Sequence, residues 1–259
     1  MKPIISLSDI SKTFSNGTIA LSRMSMDIGQ GEFVSLLGPS GCGKSTVLRI
    51  IAGLGEPTTG IIDWPTSTYN AAGKPERDIG FVFQEPTLMP WATVYDNVRL
   101  PLRLKRVSQT AGHERIMDAL AMVGLSKFAT SYPRELSGGM KMRVSIARAL
   151  VTRPKVLLMD EPFAALDEIT RNKLNDDLLR LWQDQHWTVI FVTHSVYESV
   201  YLSSRIVVMA ARPGRVVTDM AISAGYPRDD VFRTSDAYNE ACRNASMALH
   251  EAMDVADHL

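Results

Sequence analysis

One stretch of the sequence has the residue types and spacing of a phosphate-binding loop. It follows the pattern G-x-x-x-x-G-K-[ST] and consists of Gly38, Pro39, Ser40, Gly41, Cys42, Gly43, Lys44 and Ser45. Small residues let the backbone curl so that consecutive N–H groups face an anion, and a helix that starts here adds its positive end. Lys44 adds a charge for phosphate, and the Ser45 hydroxyl can ligate Mg²⁺. The alternative is a plain strand-to-helix turn, but the full pattern favours nucleotide binding.

Two adjacent acidic residues, Asp160 and Glu161, follow the apolar run 156–159. If that run is a parallel strand, Asp160 lies at the carboxyl edge of the sheet, where a carboxylate suits Mg²⁺. Glu161 is then placed to orient or deprotonate an attacking water. Acidic residues after a strand also commonly cap helices. Beside a phosphate loop, however, the pair favours a hydrolase over a kinase or a passive nucleotide binder.

Apolar patterning predicts the elements that must position these residues. Strands are predicted at 4–14, 18–28, 33–37, 79–83, 156–159, 189–192 and 205–209, and helices at 46–54, 139–150, 167–183 and 195–202. Ser15, Asn16 and Gly17 between the first two strands form a hairpin turn signal. Because strands and helices then alternate, we expect an α/β core with mainly parallel strands.

Three regions of different character divide the chain. Residues 1–84 and 151–220 carry the strand pattern, and 85–150 carries helical spacing that indicates an inserted helical subdomain. From 221 to 259 the sequence predicts a helical tail. Its apolar residues from Tyr238 to Met253 recur at helical spacing, so we expect one amphipathic helix that packs on its own chain.

Composition excludes several classes of protein. The 259 residues include 28 Lys and Arg against 28 Asp and Glu, and this balance argues against nucleic acid as a partner. Cys42 and Cys242 cannot build a disulfide framework, which favours the reducing cytosol. A membrane span needs roughly 20 mostly apolar residues, and neither such a run nor a signal-peptide core is evident. Any link to a membrane would therefore run through a partner.

A third motif, LSGGM at 136–140, resembles the LSGGQ signature of ABC-type ATPases. It precedes Asp160, as in that family, and the resemblance extends from Ile4 to about Val217. It implies an α/β fold of P-loop NTPase type: an ABC-type nucleotide-binding domain with an antiparallel β subdomain and an inserted helical subdomain. The 1–84 and 151–220 region would be the RecA-like ATPase core, and 85–150 the signature subdomain.

The signature residues Ser137, Gly138 and Gly139 at a helix start form a second anion site. In the family, this site binds the γ-phosphate of an ATP held by the other subunit, so that two ATP molecules are sandwiched in a head-to-tail homodimer. Met140 departs from the pattern, in which glutamine is commoner. The serine and both glycines are intact, and we therefore expect activity.

The resemblance also implies roles for single residues. Phe14 matches an aromatic that stacks on adenine, the alternative being a core strand residue. Gln84 matches the Q-loop glutamine, which ligates Mg²⁺ or water. Asp167 matches the D-loop aspartate that touches the opposite subunit, although it also fits a helix N-cap. His194 matches the switch histidine at the γ-phosphate, and a structural histidine is its alternative.

The resemblance thus implies ATP and Mg²⁺ as cofactors. It implies catalytic roles for Glu161, Lys44, His194 and Gln84, and metal ligation by Ser45, Gln84 and Asp160. The implied nucleotide-binding residues are Phe14, Gly38, Pro39, Ser40, Gly41, Cys42, Gly43, Lys44, Ser45, Thr46, Gln84, Ser137, Gly138, Gly139, Asp160 and Asp167.

Local sequence distinguishes between classes of ABC protein. The stretches 84–98, 161–167 and 199–216 resemble importers of the nitrate, sulfonate and taurine type, a family that includes importers of thiamine pyrimidine precursors. This implies a homodimer on the cytoplasmic side of the inner membrane, two integral-membrane permease subunits and a separate solute-binding protein. An exporter or lipid-transport ATPase is the alternative. Soluble repair or translation ATPases are disfavoured, because one cassette is present and only about 90 residues separate Lys44 from Ser137.

An apolar cluster, Leu88 to Trp91, ends the Q-loop segment. Its side chains either lie buried in the helical subdomain or line a groove that receives a short helix of the permease. In the second case the segment would connect Gln84, at the nucleotide, with the membrane partner.

Overall fold

The structure is a computed structural model that describes residues 2–69 and 75–257. The strands are β1 (Ile5–Thr13), β2 (Ile19–Ile28), β3 (Phe33–Leu37), β4 (Thr59–Asp63), β5 (Ile79–Val82), β6 (Val156–Asp160), β7 (Thr188–Thr193), β8 (Arg205–Ala210) and β9 (Arg215–Ala221). The helices are α1 (Lys44–Ala52), α2 (Val94–Leu104), α3 (Gln109–Met122), α4 (Gly138–Leu150), α5 (Glu168–Gln185), α6 (Val196–Leu202), α7 (Asp230–Arg233) and α8 (Asp236–Asp257). The chain divides into two compact units, one formed by Met1–Arg77 and His186–Leu259 and the other by Asp78–Gln185.

The first unit contains an antiparallel sheet in which β1 lies between β2 and β4. The hairpin predicted between β1 and β2 is confirmed: the Gly17 N–H donates to the Phe14 carbonyl at 2.9 Å, and Gly17 has φ +84°. Ile5 and Leu7 are buried in β1, as alternation along a strand requires, and Ile10 is also buried because the register of β1 shifts between Leu7 and Ile10.

The second sheet of this unit holds the strands around β3. Their order is β7-β3-β8-β9, with β3 parallel to both neighbours and β9 antiparallel to β8. Every residue of β3 is buried, as expected for a parallel strand covered on both faces. The predicted α/β core with mainly parallel strands is confirmed, and the loop after β3 opens at the carboxyl edge of this sheet.

The second unit combines the parallel pair β5 and β6 with four helices. Helix α2 packs against α3 and α4, and α4 also contacts β5. Both α2 and α3 begin at hydroxyl N-caps: Thr93 accepts from the Asp96 N–H, and Ser108 accepts from the Ala111 N–H. Residues 94–150 therefore form mainly helices, as the helical spacing in the sequence indicated.

Two strands and two helices differ from the sequence prediction, each for a local reason. Strands β4 and β9 are edge strands with mostly exposed or half-exposed side chains, so neither shows the alternation that marks a half-buried strand. Helix α2 contains Pro101, a residue that argues against a helix interior. Helix α1 begins at Lys44, not at Thr46, because the phosphate-loop lysine belongs to its first turn.

The tail forms α8, and its predicted amphipathic character is confirmed. Tyr238, Cys242, Ala245, Ala248 and Ala252 are buried as predicted, whereas Met253, which the pattern placed on the same face, is 44% exposed. The helix packs on α6 and β8 of its own chain. Among the helices that the structure describes, none is long and apolar enough to cross a membrane.

Candidate nucleotide site

The phosphate loop joins the buried strand β3 to α1, as the sequence predicted. Lys44 is the first residue of α1, and its side chain is 4% exposed. Its ammonium donates to the carbonyl oxygens of Gly38 at 2.7 Å and Pro39 at 3.0 Å, and the Cys42 Sγ lies 3.9 Å away. The backbone of the loop thus curls around the Lys44 ammonium, and a curled loop that carries a positive charge can bind an anion.

The start of α1 leaves its backbone donors without a side-chain cap. The N-cap residue is Gly43, which has φ +94° and makes no side-chain capping bond. A Cβ on Gly43 would lie 2.7 Å from the Leu21 Cδ2 and 2.9 Å from the Ala20 carbonyl oxygen, so only glycine fits this close approach. The first N–H groups of a helix need acceptors, and a phosphate supplies them. The loop therefore fits the β- and γ-phosphates of a nucleotide.

Two further predicted residues belong to the same compact unit. His194 follows the buried end of β7 and is exposed, directly before Ser195, which caps α6 by accepting from the Glu198 N–H. Phe14 follows β1 and is 45% exposed, with the Lys12 ammonium 5.7 Å from its ring centroid. The alternative of a core role for Phe14 is wrong, because a core aromatic would be buried.

The acidic pair lies in the second unit, at the end of β6. Asp160 is the last residue of the strand and is 8% exposed. Glu161 follows with φ +44°, a left-handed backbone that a residue with a side chain seldom adopts. The chain therefore turns sharply between the two carboxylates, so that a buried and a half-buried acid stand next to each other at the carboxyl edge of the β5–β6 pair.

The signature residues form the start of α4. Ser137 is the N-cap, and its Oγ accepts from the Met140 N–H at 3.2 Å. Ser137 and Gly138 are exposed, whereas Gly139 is buried, and a Cβ there would lie 2.7 Å from the Thr170 Cγ2. The start of α4 is therefore exposed to solvent at Ser137 and Gly138 and tightly packed at Gly139.

Gln84 is exposed two residues after β5, and the segment that follows it is anchored to α4. Arg148 of α4 donates to the carbonyl oxygens of Pro86 and Thr87, both at 2.8 Å, and to the Thr87 Oγ1 at 2.9 Å. Burial lowers the pKa of Arg148. Sequence reasoning missed this arginine, since nothing in the sequence marks a side chain that bonds to carbonyls some sixty residues away.

Asp167 is exposed directly before α5, and its Oδ1 accepts from the Thr170 N–H at 2.9 Å. This backbone hydrogen bond lowers the pKa of the Asp167 carboxyl. The N-cap reading of Asp167 is confirmed by this geometry, and its predicted contact with an opposite subunit stays a prediction.

A glycine-bounded loop with a buried lysine, placed between a parallel strand and a helix, defines a P-loop nucleotide-binding protein. A sequence model of the family described as ABC transporter matches residues 21–164. That match covers more than half of the chain, and the chain therefore belongs to the ABC transporter family.

Individual relatives agree with this membership. An ABC transporter ATP-binding protein of Methanocaldococcus jannaschii is 46% identical over 243 residues, which cover 93% of this chain and 89% of the relative. The aliphatic sulfonates import ATP-binding protein SsuB of Bacillus thuringiensis is 43% identical over 241 residues, covering 91% of this chain and 92% of the relative. The solved dimeric structure of the ATP-binding cassette MJ0796 with ADP and Pi superposes with a TM-score of 0.71 at 35% identity, over 86% of this chain and 100% of that one.

These findings confirm the family resemblance and the fold class that the motifs implied. The chain is an ABC transporter ATP-binding protein, which binds ATP and hydrolyses it to power transport.

Proposed function

We propose that this chain is the ATPase subunit of an importer for a small solute of the aliphatic sulfonate, nitrate, taurine or pyrimidine-precursor kind. It works as a homodimer on the cytoplasmic side of the inner membrane, with two permease subunits and a separate solute-binding protein. Likeness to the aliphatic sulfonate import protein supports the direction of transport and the solute class. The observation that carries the proposal is an exposed groove in the segment that resembles importers.

That groove lies in the second compact unit and has a volume of about 300 Å³. Its lining residues are Met89, Trp91, Ala92, Asp96, Arg99 and Arg103. Trp91 is 77% exposed, which rules out the alternative of a tryptophan buried in the helical subdomain. A large exposed aromatic beside a cavity is typical of a surface that another protein covers. We assign this groove to a short helix of the permease.

The segment that carries Trp91 also carries Gln84 and is held by Arg148, which bonds to Pro86 and Thr87. Movement of a partner in the groove would therefore be passed to Gln84 at one end and to α4 at the other. This connection gives the permease a route to the hydrolytic machinery.

Hydrolysis proceeds, in this proposal, by in-line attack of water on the γ-phosphate. Glu161 orients and deprotonates the water, while Lys44 and the signature residues of the other subunit stabilise the charge that develops. His194 and Gln84 sense the γ-phosphate, and Phe14 stacks on the adenine. Asp167 contacts the opposite subunit.

Ser45, Gln84 and Asp160 offer the hydroxyl, amide and carboxylate oxygens that Mg²⁺ prefers. We assign these three residues to the metal, which would neutralise phosphate charge when bound. The Asp160 carboxylate fits such a role, because it ends β6 at the carboxyl edge of the parallel β5–β6 pair.

A variant at the groove tests the proposed permease contact. Trp91→Ala removes the exposed aromatic, and we expect weaker co-purification with the permease at unchanged ATP affinity. The matched control is Leu104→Ala, which removes another exposed apolar side chain from the C-terminal end of α2. Unchanged association of the Trp91 variant would contradict the docking role.

The solute class is tested on the solute-binding protein encoded beside this chain. A thermal-shift screen against nitrate, taurine, alkyl sulfonates and thiamine-precursor pyrimidines should reveal one class that raises its melting temperature, since a ligand of the native state stabilises it. The absence of a neighbouring binding protein, or of any shift, would contradict the narrow assignment and leave the ATPase assignment intact.

A further inference from the structure

The helix after the switch histidine is held by a buried arginine of the C-terminal tail. Arg228 lies between β9 and α7 and is 4% exposed. Its guanidinium donates to the carbonyl oxygens of Val200 at 2.8 Å, Tyr201 at 2.9 Å and Ser203 at 3.0 Å. These carbonyls belong to the last turn and the C-cap of α6. One side chain of the tail therefore bonds to three carbonyl oxygens at the C-terminal end of this helix.

The chemistry of that contact suits a permanent anchor. The last carbonyls of a helix have no partner inside the helix, and a cation there also interacts favourably with the negative end of the helix dipole. The guanidinium lies 4.2 Å from the ring centroid of Tyr226 and 5.2 Å from that of Phe232, within cation–π range. A fourth bond runs to the Ala224 carbonyl at 2.8 Å. A buried charge needs compensation of this kind.

Tyrosine hydroxyls of both elements add to this anchor. Tyr201 donates to the Arg228 carbonyl at 2.8 Å, and Tyr226 donates to the Leu202 carbonyl at 3.0 Å. Burial raises the pKa of Tyr226 to about 12, so its hydroxyl keeps the proton it donates at neutral pH. At the other end of α6, Tyr238 of α8 donates to the Tyr197 carbonyl at 3.1 Å. The tail thus holds α6 at both ends.

His194 lies between two fixed points. On one side, β7 ends at the buried Thr193, whose Oγ1 accepts from the Ser195 N–H at 3.0 Å and donates to the Glu198 carboxylate at 2.5 Å. On the other side, α6 begins one residue after Ser195 and is held by the tail. Any shift of α6 must be absorbed by the short connection that carries the His194 side chain.

We propose that Arg228 is a positioning residue for ATP hydrolysis, acting through α6 to hold His194 in place. This inference rests on the proposed role of His194 at the γ-phosphate. It assigns a function in catalysis to the tail, a segment outside the three nucleotide-binding motifs. A small displacement of a group that acts in the transition state lowers turnover more than substrate binding.

The test is steady-state ATP hydrolysis by the full chain carrying Arg228→Met, which keeps length but removes the charge and all four hydrogen bonds. We expect kcat to fall about tenfold while KM for ATP changes by less than about twofold. Arg228→Lys keeps the cation at the end of α6 and should recover most of the loss. The matched control is Arg243→Met, which removes an exposed arginine from α8 and should retain wild-type kcat.

Two measurements separate positioning from loss of folded protein. Melting temperature and affinity for a fluorescent ATP analogue are measured for each variant, and rates are expressed per mole of nucleotide-binding sites. Tyr238→Phe, which removes a single hydrogen bond at the other end of α6, should lower kcat in the same direction by a smaller factor.

Wild-type kcat in a folded Arg228→Met variant would overturn the proposal. If that variant does not fold, wild-type kcat in Tyr238→Phe would overturn it instead. A failure of the underlying assignment is seen separately, as wild-type kcat in His194→Ala.

Discussion

Helices α1 and α4 both begin in glycine-rich segments, but the two helix starts are built differently. The start of α1 has no side-chain cap, and its first residue is a buried lysine. The start of α4 is capped by the hydroxyl of Ser137, and its first two residues are glycines. A glycine N-cap costs a helix only about a few tenths of a kcal/mol relative to serine, and a bound phosphate can accept hydrogen bonds from the first N–H groups of α1.

This difference indicates a division of labour. The α1 start has donors, a cation and an enclosing loop, and can hold a nucleotide by itself. The α4 start satisfies its own donor and has an exposed tip, which suits a phosphate already held by another chain. In the proposed head-to-tail dimer each helix start would then have a separate task, and the following variants test whether the two tasks can be separated.

The largest effect is expected at α1. Lys44→Met removes the buried cation, and we expect kcat to fall about 10²- to 10³-fold, together with a loss of ATP affinity, because a preorganised charge at the phosphates is removed. Phosphate release and binding of a fluorescent ATP analogue measure the two effects. Lys155→Met, at an exposed lysine, is the control. Wild-type hydrolysis by the Lys44 variant would exclude the loop as the nucleotide site.

At α4 we expect turnover to fall while ATP affinity stays the same. Ser137→Arg places a bulky side chain at the exposed tip, and we expect hydrolysis to fall about 10²-fold with ATP affinity unchanged. The same two assays apply. An equal loss of ATP affinity would contradict the division of labour, because it would make the α4 start part of the site that holds the nucleotide alone.

The two helix starts should also differ in their tolerance of a methyl group. Gly43→Ala forces a left-handed residue into contact with Leu21 and Ala20, and we expect it to lower the free energy of unfolding by about 1–3 kcal/mol. Gly138→Ala meets only an ordinary 3.5 Å contact with Leu166 and should change stability by less than about 0.5 kcal/mol. Urea unfolding measures both, and equal losses would contradict the described geometry.

A smaller effect is expected from the cap of α4. Ser137→Ala removes the acceptor of the Met140 N–H, and we expect a loss of about 1 kcal/mol in the free energy of unfolding. Ser137→Thr keeps a capping hydroxyl and serves as the control in the same unfolding experiment. If the alanine variant were as stable as the threonine variant, the cap would not stabilise α4.

The smallest effect is expected at the start of α5, which is capped by a carboxylate and not by a hydroxyl or a glycine. Its cap is the Asp167 carboxylate, whose pKa is lowered chiefly by the hydrogen bond from the Thr170 N–H. A lowered folded-state pKa stabilises the protein above the unfolded-state pKa, and this contribution is lost as the pH falls through the lowered value. Wild type should therefore exceed Asp167→Ala in stability at neutral pH, by a margin that shrinks in acid. A margin independent of pH would contradict a charged cap.

The sequence predicts the two helix starts well because their signals are local. The phosphate loop after β3, the signature serine before α4 and the carboxylates at the end of β6 are short motifs that residue types and spacing suffice to identify. The same holds for β3, β7 and β8, which are short apolar runs.

The features that the sequence did not predict depend on packing between residues that are far apart in the chain. Arg148 and Arg228 bond to carbonyl oxygens far along the chain, and an arginine carries no sequence signal for such a partner. Strands β4 and β9 lack periodicity because solvent lies beside them. The exposure of Trp91 could not be predicted either, since an apolar cluster in the sequence fits a core and a docking groove equally well.

The most direct test of the central claim, that two chains share each ATP, is the molar mass of the Glu161→Gln variant by light scattering. Replacing the carboxylate should stop hydrolysis but leave ATP binding, so ATP should convert the monomer into a dimer of twice the mass. Adding Ser137→Arg to this variant should abolish the dimer and preserve ATP binding. A Glu161→Gln chain that binds ATP and stays monomeric, or a dimer that survives Ser137→Arg, would contradict the account.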